Sequence, residues 1–126
     1  MTTEPLKLIS DGMEAIGLNY AFAMWEGEPK YPYFTGEYQE SPPEDESGRQ
    51  DATFILTGFT KGSWLELETA KEKIENYFNR ISGKTVIAEN GTAVAIFYER
   101  SLVIPTGDAE LKRIEINLLI KEWKVT

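Results

Sequence analysis

The chain has 126 residues, with 21 acidic and 13 basic side chains and neither histidine nor cysteine. The missing residue types exclude Ser-His-Asp triads, Cys-His pairs and zinc sites built from thiolates or imidazoles. A formal charge of −8 disfavours binding to nucleic-acid phosphates and to anionic membrane surfaces. The length suits one domain with its own core, residues 1–126, and we expect neither a signal peptide nor a membrane span.

The first third of the chain predicts one helix followed by two extended segments. Pro5 suits the first turn of a helix, and apolar residues then recur at three- and four-residue spacing, which predicts a helix over residues 5–17. Residues 18–26 have the alternation of a strand. Residues 27–36 contain two prolines and two glycines, which favours an edge strand or an ordered loop.

An acidic stretch follows. Residues 37–51 hold six acids against one base, and we expect residues 40–51 to form an exposed, mobile loop because such a stretch cannot bury apolar surface. Its carboxylates are also possible ligands for a hard cation, but their spacing lacks the pattern of a preorganised calcium loop. A solvated loop is therefore the favoured interpretation. The candidate ligands are Glu44, Asp45, Glu46 and Asp51.

The remaining residues predict a strand, a helix and three more strands. Residues 52–60 are rich in β-branched and aromatic side chains, and Ser63 with Glu66 has the form of a capping box opening a helix over 63–82. Asn90-Gly91 predicts a hairpin over 84–99. From Lys112 apolar and polar residues alternate, and a change of phase near residues 121–122 predicts a bulge or a strand that projects beyond its sheet.

These elements predict a single α+β domain, a mostly antiparallel sheet with two main helices packed on it, in the order α-β-β-β-α-β-β-β. The expected core consists of Ile9, Ile16, Phe22, Phe54, Leu56, Leu67, Ile74, Phe78, Ile114, Ile116, Leu118 and Ile120.

The candidate functional residues are aromatic rather than catalytic. Glu66 and Glu68 are explained by helix capping and the helix dipole, and the glycines before Ser63 do not match a phosphate-binding loop, so we expect no catalytic, cofactor or metal site. Aromatic residues beside prolines and glycines either anchor a protein partner or cap the open end of the core. The aromatic segment contains Tyr31, Tyr33, Phe34 and Tyr38.

Three stretches carry a resemblance to a known family: Pro32–Tyr38, Phe54–Gly58 leading into Ser63–Glu68, and Glu110–Leu118 with Lys121–Trp123. They resemble small structural proteins of tailed phages and of prophages in Gram-positive bacteria, of the tail-completion or tail-terminator kind. The resemblance implies helices packed on a sheet and protomers joined in a ring, with a hexamer as the implied number. It also implies a non-enzymatic role at the tail end near the head, beside the major tail protein and head-connector proteins, after assembly in the host cytoplasm.

The family implies no active site, so the candidate interface residues come from exposed aromatics, charges and the long strand over 110–124, whose unpaired edge would be a docking surface. The alternative function is a small ligand-binding or regulatory domain that uses segment 31–38 as a pocket. The candidate interface residues are Tyr31, Tyr33, Phe34, Tyr38, Glu44, Asp45, Glu46, Arg113, Glu115 and Trp123.

Overall fold

Two helices and six strands follow one another in the predicted order in the computed structural model, which describes residues 1–41 and 49–124. The elements are α1 (Glu4–Ala15), β1 (Asn19–Phe22), β2 (Tyr33–Glu40), β3 (Arg49–Thr60), α2 (Trp64–Tyr77), β4 (Lys84–Ile87), β5 (Ala93–Ile104) and β6 (Lys112–Trp123).

The strands form one sheet in the order β1-β2-β3-β6-β5-β4. Strand β1 runs parallel to β2, and the other four neighbouring pairs are antiparallel. The expected mostly antiparallel sheet is therefore corrected to a mixed one. The physical reason is the connection over residues 23–32, which returns the chain to the starting end of β1 before β2 begins.

Both helices pack on one face of this sheet. Alternate residues of β6, from Ile114 to Ile120, are buried against Ile9 and Met13 of α1 and Leu67 and Ile74 of α2. We call the opposite side the helix-free face; it is formed by the alternate residues from Tyr33 to Gln39, Asp51 to Phe59 and Arg113 to Trp123. Within the described residues, neither of the two helices is long and apolar enough to cross a membrane.

Ten of the twelve expected core residues are buried, and two are not. Ile16 is half-buried because α1 ends at Ala15, one residue before it. Phe22 is 48% exposed because it ends the outer strand β1, where its ring stacks on Tyr38 at a centroid distance of 6.2 Å.

Helix α2 begins as expected and ends earlier. The backbone N–H of Glu66 donates to Ser63 Oγ at 3.3 Å, whereas the Glu66 carboxylate accepts from the Thr60 hydroxyl at 2.9 Å instead of completing the capping box. The helix ends at Tyr77 rather than near residue 82. There the Phe78 carbonyl turns towards β5 and accepts from the backbone N–H of Tyr98 at 2.9 Å.

The predicted hairpin around Asn90-Gly91 is present as β4 and β5, with Val86 opposite Val94. The bulge, however, lies in β5 between Tyr98 and Arg100, and the prediction of one near residues 121–122 is wrong. The prediction of a projecting strand is also wrong, because β6 lies between β3 and β5 and pairs with both along its length.

Strands β2 and β3 extend into the stretch 40–51 that was expected to be a loop. Glu40 ends β2 and residues 49–51 begin β3, since Glu40 pairs with Ala52 across the two strands. Residues 42–48, including the candidate residues Glu44, Asp45 and Glu46, lie outside the described residues.

Candidate protein-interaction surface

Four aromatic side chains meet at one end of the helix-free face. The Tyr33 ring stacks on Phe59 at a centroid distance of 5.2 Å, and it contacts Trp25 at 5.3 Å and Tyr31 at 5.6 Å. We call these four residues, Trp25, Tyr31, Tyr33 and Phe59, the aromatic corner. Aromatic pairs at such distances each add about 0.5–1.5 kcal/mol beyond their buried area, so the corner is a cohesive surface.

Hydrogen bonds hold the connection that supplies two of these rings. The Asn19 side-chain amide donates to the carbonyl oxygens of Lys30 at 2.9 Å and Pro32 at 3.1 Å. The Trp25 indole N–H donates to the carbonyl of Glu28 at 3.0 Å. Since Asn19 lies opposite Tyr33 in the β1–β2 register, these bonds tie the connection over residues 23–32 to the sheet edge.

Burial and charge act on this cluster together. Burial raises the pKa of the Tyr33 hydroxyl, and the neighbouring Tyr31 raises it further. Lys61 Nζ lies 5.8 Å from the centre of the Tyr31 ring, and the Arg113 guanidinium carbon lies 5.8 Å from the centre of the Phe59 ring. Two cations over aromatic faces stabilise the corner.

Arg113 is incompletely paired within the described part of the chain. Its Nε atom is buried and has no hydrogen-bond partner there. A buried donor without a partner costs about 1–3 kcal/mol, a cost that the packing of Arg113 over the Phe59 ring has to offset.

The predicted aromatic segment is divided between the two faces of the sheet, because successive residues of a strand point to opposite sides. Tyr33 belongs to the aromatic corner, whereas Phe34 is 0% exposed in the core. Tyr38 is 41% exposed and lies on the helix-bearing side, where it stacks on Phe22. Tyr31 to Tyr38 therefore cannot line one pocket, and Phe34 is corrected from an interface residue to a core residue.

The charged candidates of β6 share a face without forming one site. Arg113, Glu115 and Trp123 all belong to the helix-free face, but Arg113 and Trp123 are ten residues apart on one strand, about 33 Å. Only Arg113 reaches the aromatic corner, through Phe59. Trp123 is 36% exposed at the opposite end of the sheet.

Asp51, the described residue among the candidate cation ligands, is bonded to Arg49. Asp51 accepts two hydrogen bonds from Arg49, from Nε at 2.9 Å and from Nη2 at 2.8 Å. These bonds, and the charges of Arg49 and Lys121, hold the pKa of Asp51 below its usual value although partial burial opposes them. Over residues 1–41 and 49–124 the structure contains no group of three acidic residues placed to hold a metal ion.

The sequence did not predict Trp25 and Phe59 of the corner, or Lys61 beside it. Trp25 falls on the opposite parity from Tyr20 and Phe22, a signal that it faces elsewhere. Phe59 and Lys61 gave no signal of their own, since their place beside Tyr33 and Tyr31 depends on the β2–β3 register.

Comparisons with known proteins bear on the fold. No protein-family profile and no curated protein matches the chain. Among solved structures, a chain from the "Virion of native gene transfer agent (GTA) particle" is similar over 88% of this chain and 83% of its own length. The two share 12% sequence identity and superpose with a TM-score of 0.66. This protein therefore has the same fold as a component of a gene transfer agent virion.

Proposed function

We propose that the protein is a non-enzymatic structural component of a tailed-phage or prophage virion. It assembles with copies of itself, as a ring with six as the implied number, at the tail end near the head–tail junction. Its further partners are the major tail protein and head-connector proteins, which it meets in the host cytoplasm before it becomes part of the virion tail.

The observation that carries the proposal is the likeness of fold to a chain of a gene transfer agent virion, with a TM-score of 0.66 over 88% of the sequence. Fold alone is an associational argument. The resemblance of Pro32–Tyr38 and of Glu110–Leu118 to phage tail proteins is independent of it and points to the same class of particle.

The surface supports an assembling protein. Both helices lie on one side of the sheet, and the helix-free face ends in the aromatic corner with the incompletely paired Arg113. Aromatic and arginine side chains are enriched where proteins bind each other. The rings contact one another at centroid distances of 5.2, 5.3 and 5.6 Å, so no ligand-sized space lies between them.

The test is the mass of the purified protein as a function of concentration and salt, measured by light scattering and followed by electron microscopy of the largest species. We expect a closed oligomer of defined copy number. Co-expression with the products of neighbouring genes then identifies the partners, and we expect a head connector and a major tail protein among them. A protein that stays monomeric at millimolar concentration in high salt, encoded in a metabolic operon, contradicts the proposal.

A further inference from the structure

We infer that copies of this protein join by extending the sheet from one subunit into the next, an inference that rests on the proposed self-assembly. Residues 37–40 of β2 in one copy pair antiparallel with residues 101–104 of β5 in its neighbour. Strand addition of this kind uses main-chain hydrogen bonds for affinity.

Both edges are open because the outer strands of the sheet are short. Strand β1 pairs only with Tyr33–Gly36, the first half of β2. Strand β4 pairs only with Ala93–Ile96, the first third of β5. Among the described residues, no strand pairs with 37–40 or with 101–104 on the outer side. β1 lies beside the end of the sheet that holds Phe59 and β4 beside the end that holds Arg49, so the two open stretches are diagonally opposed.

The main-chain groups of the two edges match in spacing. In an antiparallel pair, alternate residues direct their N–H and C=O groups away from the partner strand. On β2 the Gly36 carbonyl points outward, since it accepts from Ala23 N–H at 2.8 Å. The main-chain N–H and C=O groups of Tyr38 and Glu40, two and four residues further on, therefore point outward too. On β5 the N–H of Tyr98 points outward to Phe78.

The bulge between Tyr98 and Arg100 shifts this alternation by one residue, so Ser101 and Val103 point outward beyond it. Each open edge thus presents two outward residues, two positions apart. Pairing Tyr38 with Val103 and Glu40 with Ser101 satisfies both sets of donors and acceptors.

The direction and the faces of the strands are also compatible with a ring. Since β2, β3, β6 and β5 alternate in direction, β2 and β5 run oppositely within one subunit. Two copies in the same orientation can therefore pair β2 with β5 antiparallel. Tyr38 lies opposite Phe54 and Val103 opposite Ile114, both core residues, so the helices of neighbouring copies stay on one side. Such a head-to-tail contact closes into a ring when its rotation permits.

Pairing of β2 in one copy with β5 in the next is favoured over pairing of either edge with the same edge of a second copy. Pairing of two β2 edges would bring Glu37 of both copies onto adjoining strands, and like charges on paired strands are destabilising. Glu40 adds less to this repulsion because it is ion-paired with the N-terminal ammonium of Met1 at 2.9 Å. Pairing of two β5 edges would end at a dimer. The open stretch of β5 contains two exposed apolar residues, Leu102 at 61% and Val103 at 47%, and an exposed apolar strand edge is a site that natural proteins cover.

The absence of cysteine from the sequence permits a direct crosslinking test. Gln39 and Leu102 are exposed, and the proposed register places them opposite each other in a pair that is not hydrogen-bonded, where Cα atoms are about 4.5 Å apart. A disulfide spans that distance. We expect a mixture of Gln39→Cys and a mass-tagged Leu102→Cys to form the mixed disulfide dimer on oxidation, and the double variant to form a closed covalent oligomer.

Three results overturn the inference. The first is crosslinking of Leu102→Cys with itself as efficiently as with Gln39→Cys, which indicates β5–β5 pairing. The second concerns the control variant Thr69→Cys, which places a cysteine on the exposed face of α2. The inference fails if Gln39→Cys crosslinks with Leu102→Cys no better than Thr69→Cys does. The third is no crosslink between Gln39→Cys and Leu102→Cys although the wild-type protein forms a ring. If the wild type remains monomeric at high concentration, the proposed function itself fails.

A second pair of variants tests the main-chain contact without a crosslink. Val103→Pro removes the outward N–H, whereas Val103→Thr keeps it. We expect the proline variant to weaken association about tenfold, with the same circular dichroism as the wild type, and the threonine variant to assemble. Equal assembly of a folded proline variant and the threonine variant contradicts pairing through this edge.

Discussion

The ring of Phe34 lies over Gly58, the residue directly opposite it on β3. Two positions along, the ring of Phe54 covers Gly36 on β2. Each phenylalanine therefore fills the space left by the missing side chain of a cross-strand glycine. This reciprocal packing fixes the register of β2 against β3, and the register in turn places Tyr33 on Phe59 in the aromatic corner.

Replacement of Gly58 by alanine tests this packing. A Cβ at Gly58 would lie 2.8 Å from Phe34 Cζ, so the ring has to move out of a close-packed core. We expect Gly58→Ala to lower the free energy of unfolding by about 1–3 kcal/mol, measured by urea denaturation. Thr35→Ala, a half-buried neighbour on the other face, is the control and should change it by less. An unchanged or raised stability of Gly58→Ala would contradict the account.

The order of helices and strands could be predicted from sequence because each signal is local. The Asn90-Gly91 turn, the Ser63 cap and the alternation from Ile114 to Ile120 each depend on neighbours along the chain, and each is present in the structure. The arrangement of the strands in the sheet, and with it the partly covered edges, does not follow from such local signals. That β1 joins β2 in parallel, or that β6 lies at the centre rather than projecting, depends on pairing between distant strands.

The candidate site shows the same division. Exposed aromatic residues near Tyr31 could be recognised from prolines and glycines around them, but the alternation of β2 sends Phe34 inward and separates Tyr38 from Tyr33. The contribution of Phe59 required the β2–β3 register. The bulge in β5, which sets the outward residues of its open edge, has no counterpart in the sequence pattern.

Glu122 provides a second test of stability, because it is a fully buried carboxylate. Its Oε1 accepts from the backbone N–H of Thr2 at 2.9 Å, and its Oε2 accepts from the Thr2 hydroxyl. Alanine at this position leaves two partly buried donors without a partner. We expect Glu122→Ala to cost about 2–4 kcal/mol, measured by thermal or urea unfolding, while Glu99→Ala, an exposed control, stays within about 0.5 kcal/mol of the wild type. Equal effects of the two variants would show that the Thr2 contact contributes nothing.

Tyr20 makes stability depend on pH in the alkaline range. Burial raises its pKa from 10.0 to about 12, so between these values the unfolded chain loses the proton that the folded chain keeps. The folded state then binds more protons, and the free energy of unfolding falls as pH rises through this window. Below about pH 10 both states keep the proton and the contribution is constant.

We expect Tyr20→Phe to flatten the decline of stability between pH 10 and pH 12, measured by urea unfolding at fixed pH. Tyr38→Phe, at a more exposed ring, should leave the decline in place. A decline of equal slope in Tyr20→Phe and the wild type would contradict the assignment to Tyr20.

The aromatic corner is expected to contribute both to stability and to association, and two variants separate the two contributions. Tyr33→Ala removes the ring that contacts Trp25, Tyr31 and Phe59, with an expected loss of about 1–3 kcal/mol of stability. If the corner is also an interface, Tyr31→Ala, which removes a more peripheral ring, weakens assembly by about tenfold or more with little change in stability. Assembly and partner binding that are unaffected by Tyr31→Ala would assign the corner a purely structural role.

The charge of the chain predicts how assembly responds to salt. Each copy carries a formal charge of −8, so copies repel one another, and the repulsion between exposed charges is screened over about 10 Å at 0.1 M salt and about 3 Å at 1 M. Association should therefore strengthen as sodium chloride is raised, measured by sedimentation at constant protein concentration. A double variant, Asp11→Asn with Glu14→Gln on the exposed side of α1, removes two negative charges away from β2 and β5 and should associate better at low salt with a shallower salt dependence. If salt instead dissociates the wild-type oligomer, attraction between opposite charges dominates the contact, and the apolar edge of β5 is not its main component.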